Sequence, residues 1–327
     1  MNRVIIGICA TVAWGIIAHA AEPVVSDVVA KQRYPWNGLV DITCKVSGIS
    51  ETDQWKFSVE AVVPNSGDAR KVSQFWVVKN GVNSTDRKVQ ANGTYKLLWD
   101  AQAELGAVVH SNMVMRVNVV RLPRKIQLWE GGPYWADTNI GAENPEDYGY
   151  YFWWGDTIGY KRENNKWVAT DGSSNNFSFD SNNTPTYDKS IATLKSEGWI
   201  TANNVLAPGH DAAHVHWGGG WRMPTERELS DLKSKCTWSW TTINGVDGYR
   251  ICGKGDYTSA SIFLPCAGYG YGASLRSAGL NGGYWSSRPY SDSNNACDLT
   301  FYSGNRYALS SDRLNGQSVR PVQGFTK

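Results

Sequence analysis

Apolar and polar residues alternate with a period of two in the first third of the chain, and this constrains the fold more than any other feature. Val40, Ile42, Cys44 and Val46 alternate with Asp41, Thr43 and Lys45, and Phe57, Val59 and Ala61 with Lys56, Ser58 and Glu60. Met113, Met115, Val117 and Val119 alternate in the same way with Val114, Arg116 and Asn118. Successive side chains of a strand point to opposite faces, so this pattern predicts strands with one buried and one wet face. Asn80-Gly81 and Asn92-Gly93 mark turns between them. The expectation is a β-sandwich over residues 21–122, with Cys44 pointing inward as a small apolar side chain.

Residues 1–20 read as a signal peptide. Arg3 gives a positive start, residues 4–17 are apolar, and Ala18-His19-Ala20 offers the small residues of a cleavage site. That run is too short to cross a bilayer comfortably. Ile8 precedes Cys9 where a lipidation site needs a small residue. No later segment approaches the length of a membrane span, so the chain is expected to be secreted, periplasmic or at the cell surface. Its net charge of +2 is scattered, which leaves no electrostatic footprint for a nucleic-acid partner. A length of 327 residues suggests two domains.

The pattern breaks at Leu122-Pro123-Arg124-Lys125, and residues 123–327 have a different texture. Eleven of the 16 tryptophans lie between Trp129 and Trp285, where large aromatic areas can hold loops that lack regular structure. Residues 159–189 show no sustained alternation and read as a long polar loop. A short helix is expected over 190–197, ahead of Gly198. A better one follows Thr225, which with Glu228 forms a capping box ahead of Leu229 and Leu232. Asn244-Gly245 signals a hairpin; a turn centred near Asn244 places Cys236 and Cys252 opposite each other. The fold class is therefore mainly β, with an α+β second domain.

Five strings stand in order through this half: "YWADTNIGAENPEDYGYYFWWGDT" (134–157), "DAAHVHWGGGWRMPT" (211–225), "SIFLPCAGY" (261–269), "GYWSS" (283–287) and "GQSVRPV" (316–322). Together they resemble the Fibrobacter succinogenes major paralogous domain family, over about residues 126–324. The resemblance implies a C-type-lectin-like fold shared with formylglycine-generating enzymes. In the first half, "AKQRYPWNGLVDI" (30–42) resembles the immunoglobulin-like module often found ahead of that domain. Such scaffolds host oxidases, lectins and protein receptors, so function has to come from the site.

Several chemistries can be weighed on their residues. His210, His214 and His216 lie close together, as metal ligands do, but ordinary packing and polar roles serve them as well. A formylglycine-generating oxidase needs two adjacent cysteines. Cys266 and Cys297 are the candidates, and their strand-like contexts read as a structural disulfide or two buried thiols. Ser286-Ser287 lacks a nucleophile elbow, and all five histidines precede it. Glu143, Glu146 and Asp147 offer oxygen ligands for calcium or form a solvated turn. The reading assigns no catalytic residue, metal or cofactor.

Residues 286–315 carry the functional expectation. Cys297, Leu299 and Phe301 share one face of a strand, and Asp298, Thr300 and Tyr302 share the other. Tyr290, Asp292, Asn294, Asn295, Asn305, Arg306, Asp312 and Arg313 flank that strand. Tyr and Arg give rigid contact area and Asn, Ser and Gly adaptable hydrogen bonds, the composition of a paratope. The stretch resembles the variable proteins of diversity-generating retroelements, in which mutated Asn-type codons yield such residues at exposed sites of this fold. The expected function is recognition of a protein or glycan through these residues. An iron-dependent or formylglycine-generating oxidoreductase and a passive surface protein are the alternatives.

Overall fold

The computed structural model describes residues 23–34, 38–50, 53–62, 69–105, 114–173, 178–291 and 294–325. The expected signal peptide, Met113 and Asp292 lie outside them. The chain is mainly β and divides into two compact units, Met1–Leu122 and Pro123–Lys327.

In the first unit two antiparallel sheets share one apolar core. One has the order Val24–Gln32, Leu39–Ser47, Gly93–Asp100, Phe75–Lys79 and Val82–Ser84. The other is built on Gln54–Val62, which pairs with Ala69–Lys71, Lys88–Val89 and Val114–Leu122. The alternating residues meet between them: Ile42, Cys44 and Val46 pack with Phe57, Val59 and Ala61, Leu97 and Trp99, and Met115 and Val117. Burial pushes the Cys44 thiol up to about 11.

The second unit contains five small antiparallel sheets and three short α-helices among its described residues. Each helix starts on a side chain that accepts from its first turn: Ser190 before Ile191–Ser196, Asp211 before Ala212–Trp217, and Thr225 before Glu226–Lys235. Glu228 completes the expected box and pairs with Arg222 at 2.6 Å. None of the helices is long and apolar enough to cross a membrane. The segment expected to be one polar loop begins instead with a hairpin, Tyr160–Glu163 against Lys166–Ala169. Asn164 and Asn165 adopt left-handed φ values of 49° and 61° in its turn, so two asparagines do what the glycine of a typical hairpin turn does.

The hairpin Thr237–Ile243 and Val246–Cys252 turns between Asn244 and Gly245, not on Asn244. Thr237, and not Cys236, therefore lies opposite Cys252; Cys236 terminates the preceding helix. Both cysteines are free, yet they stay near enough for their thiols to interact. Cys266 and Cys297 are two free buried thiols, the second of the readings open for them, and not a disulfide. Cys266 sits near Asp247 and Tyr148, whereas Cys297 lies against the Pro289 carbonyl. Burial raises the thiols of Cys236, Cys266 and Cys297 to about 12 each, well outside the range of a reactive thiolate.

Tryptophan N–H groups tie separate segments together. Trp153 donates to Leu314 O at 2.8 Å, Trp154 to Ser286 O at 2.9 Å and Trp285 to Phe152 O at 2.9 Å. Two fully buried arginines do the same at larger scale. Arg320 donates to Asn139 Oδ1 and to the carbonyls of Ala136, Asp137 and Phe263, and its burial lowers the guanidinium to about 10. Arg313 spans the carbonyls of Asn295, Thr186 and Lys189, with its guanidinium over the Trp154 ring.

Candidate functional site

The stretch expected to carry function folds as a three-stranded antiparallel sheet, Asn281–Pro289, Asn295–Tyr302 and Asn305–Asp312. The last hairpin pairs Tyr302 with Asn305, so Thr300 opposes Tyr307 and Asp298 opposes Leu309. On the first strand Asn281 opposes Tyr302, and Gly283 opposes Thr300. Alternation then assigns the faces. Leu299 and Phe301 go into the core, where the Phe301 ring packs on Tyr249 and Tyr284. Asn281, Gly283, Thr300, Tyr302, Asn305 and Tyr307 share the opposite face.

That face is graded along its length. At the end near the last turn, Tyr302 and Tyr307 are 38% and 39% exposed, with ring centroids 6.1 Å apart and hydroxyls 3.3 Å apart. Leu309 beside them is 62% exposed on the edge strand. Toward the other end the face is covered. Asp298 was expected outward and does lie on the same face as Thr300, yet it is only 2% exposed. Its Oδ2 accepts from Ser311 Oγ at 2.6 Å, Thr300 Oγ1 at 2.8 Å and Gln317 Nε2 at 3.0 Å. Period two predicts the direction of a side chain but not whether a later segment crosses over it, and here Gln317 does. Burial holds the Asp298 carboxyl above the usual range, with these three donors opposing the rise.

The other expected contact residues separate. Arg313 is buried completely and acts as the strut described above, because a guanidinium can satisfy several loop carbonyls at once. Arg306 projects to the face opposite Tyr302, with its guanidinium 5.4 Å from the centre of the Trp238 ring. Tyr290 is exposed at the far end, where its N–H donates to Asn295 O. Asn294 and Asn295 are half-buried, and their carbonyls accept from Arg313. Asp312 Oδ1 accepts from the Leu314 N–H at 2.8 Å and shapes the turn. The single outward patch expected from sequence is therefore smaller: Thr300, Tyr302 and Asn305 come together, joined by Tyr307, Leu309 and Asn281. Tyr307 was legible in principle, since a two-residue turn at Ser303-Gly304 places it opposite Thr300.

A cleft of about 250 Å³ opens on the same face beside these residues. Tyr269, Asn281, Gly282, Gly283, Thr300, Ser311, Asn315 and Gln317 line it. A Cβ on Gly283 would lie 2.9 Å from Gln317 Oε1, so glycine leaves room there for the amide.

Elsewhere several of the residues weighed for chemistry have structural partners. His216 Nε2 lies 2.8 Å from Thr157 O, and the His210 ring stacks on Trp199 at 4.0 Å. Asp211 accepts from the N–H groups of Ala213, His214 and Met223. Asp147 accepts from the N–H groups of Glu143 and Asn144, and Glu146 from Asn244. Ser286 is fully buried and its Oγ accepts from the Arg288 N–H. Among the described residues no group of three or more His, Cys, Asp or Glu side chains is arranged to hold a metal ion.

A family model described as a domain of unknown function, DUF8237, matches residues 238–322. The match spans the three-stranded sheet, the cleft and both buried arginines. No curated protein and no solved structure matches the chain.

Proposed function

We propose that the chain is an exported, non-catalytic recognition protein. In this reading an immunoglobulin-like sandwich precedes a C-type-lectin-like domain, whose face around Tyr302 and Tyr307 contacts a protein or glycan ligand. The observation that carries the reading is the pairing of two exposed tyrosines on a sheet whose other face is locked into the core by Leu299 and Phe301. Aromatic anchors on a rigid element lose little entropy on binding, which is why paratopes favour them. Two features support a face evolved to vary on a frame that does not. The exposed residues brace nothing large, whereas Arg313 ties residues 186–189 to Asn295 and Arg320 ties residues 136–139 to Phe263.

The test is an array of glycans and extracellular proteins probed with the labelled full chain and with a Tyr302→Ala, Asn305→Ala, Tyr307→Ala variant. The reading expects capture by the native chain and at least a tenfold loss in the variant, at an unchanged melting temperature. Equal capture by both chains would refute it. Export has its own check: N-terminal sequencing of secreted material should begin near Ala21.

A further inference from the structure

The cleft beside the two tyrosines is built for a particular chemistry. The polar residues that line it are Asn281, Asn315 and Gln317, which carry amides, Thr300 and Ser311, which carry hydroxyls, and Tyr269; no lysine, arginine or histidine is among them. The Asp298 carboxylate lies directly behind it, held by the inner donors of Thr300, Ser311 and Gln317. An anion entering the cleft would meet a carboxylate and no cation to offset it. A purely apolar group would strand the amides.

Gln317 supplies the second observation. It is 2% exposed, and its Nε2 must face Asp298, since an amide oxygen pointed at a carboxylate oxygen is repulsive. That orientation sends Oε1 the other way, over Gly283 on the cleft wall, and among the described residues it has no hydrogen-bond partner. A buried acceptor without a donor loses the hydrogen bond that water gave it unless something supplies another. The missing partner is a donor.

We infer that this cleft binds one ring of a neutral polyhydroxylated ligand, a sugar residue whose hydroxyls donate to Gln317 Oε1 and exchange hydrogen bonds with Asn281 and Asn315. The volume sets the scale: about 250 Å³ is below the range of roughly 300–1,000 Å³ typical of sites for drug-sized molecules, so it accommodates a single ring. Tyr302 and Tyr307 lie next to it on the same face, in register with Asn281 and Thr300, and offer a shelf for a neighbouring ring. This inference rests on the recognition reading above and names the ligand class.

Saturation-transfer NMR on the full chain tests it, with the methyl glycosides of glucose, galactose, mannose, xylose, fucose, N-acetylglucosamine and glucuronic acid as probes. At least one neutral glycoside should receive saturation, and the glucuronide should receive less than its neutral counterpart, glucose. Asn281→Ala with Asn315→Ala should weaken the positive probe at least tenfold, because both side chains are half-exposed and their loss leaves the core intact. Gly283→Ala, which pushes a methyl against the Gln317 amide, should do the same; where its melting temperature falls, the asparagine pair alone decides. The inference is overturned if no neutral glycoside binds, if the glucuronide binds best, or if the asparagine pair leaves the signal unchanged. Capture of an arrayed ligand that depends on Tyr302 and Tyr307 but not on Asn281 and Asn315 would overturn the cleft while leaving the recognition reading standing.

Discussion

The two units solve the same problem, burying enough surface to hold a β fold, with different materials. Among the described residues of the first unit, every fully buried side chain is apolar, and the core is the sum of its alternating strands. Every buried polar or charged side chain among the described residues lies in the second unit, from Asp137 to Arg320. There the sheets are short, and arginine and tryptophan side chains donate to carbonyls both of loops, such as Thr186, Lys189 and Leu314, and of short strands, such as Phe152, Phe263 and Asn295. The comparison teaches that a loop-rich domain gains a rigid frame by satisfying its backbone from the side, and that such a frame leaves other positions free to change.

Removing a strut should break the comparison most forcefully. Arg313→Met keeps apolar volume but strands the carbonyls of Asn295, Thr186 and Lys189, at about 1–3 kcal/mol for each unsatisfied buried group. Chemical denaturation should therefore show a loss of about 3 kcal/mol or more. A loss below about 1 kcal/mol would mean that water replaces the guanidinium and that the strut account is wrong.

Apolar truncation should not tell the units apart. Leu97→Ala in the first and Leu299→Ala in the second remove fully buried side chains and should each cost about 2–5 kcal/mol. If Leu299→Ala proves near neutral in the same denaturation assay, the three-stranded sheet is not packed on its inner face as described.

A smaller effect follows from Asp298. Its folded-state carboxyl sits above the ordinary value of 3.8, so between that value and its raised one the folded chain keeps a proton that the unfolded chain releases. Its contribution to stability is full below the ordinary carboxylate range and declines as pH rises through the window. Asp156 and Asp211 are raised by burial in the same direction, whereas partners lower Asp41, Glu104, Glu197 and Glu228 and so oppose them, and the informative quantity is a difference. Measured from pH 3.5 upward (about the lower edge of the carboxylate range), the stability of the native chain minus that of Asp298→Asn should decline as pH rises. Parallel curves would contradict the burial of a protonatable group at this position.

The strands of the first unit were legible because alternation and burial coincide there: Ile42, Cys44, Phe57 and Val59 each point where their period sends them. In the second unit alternation still gave direction, as the shared face of Asp298, Thr300 and Tyr302 shows. What it lacked was coverage. Nothing in the residues next to Asp298 announces that Gln317, 19 residues further on, will close over it. Arg313 was misread for a related reason. A charged residue in a polar stretch usually stays in water, and only the convergence of three carbonyls, two from residues 186–189 and one from Asn295, makes its burial favourable. The direct opposition of Cys236 and Cys252 missed by a single residue of register, since a turn between Asn244 and Gly245 shifts every partner by one. The cleft was illegible altogether, being assembled from strands that begin at Tyr269, Asn281, Asn295, Asn305 and Asn315.

The smallest effect on stability belongs to the exposed face, and it tests the central claim. Tyr302, Asn305 and Tyr307 are exposed, and substitutions there should change stability by no more than about 0.5 kcal/mol each. The most direct measurement is a surface-display library in which positions 302, 305 and 307 are randomised in one pool and positions 299, 301 and 313 in another, with folded display as the readout. The account predicts that most members of the first pool display at the level of the native chain and that few of the second do. Comparable losses in both pools would contradict it, because the frame and the face would then be one and the same.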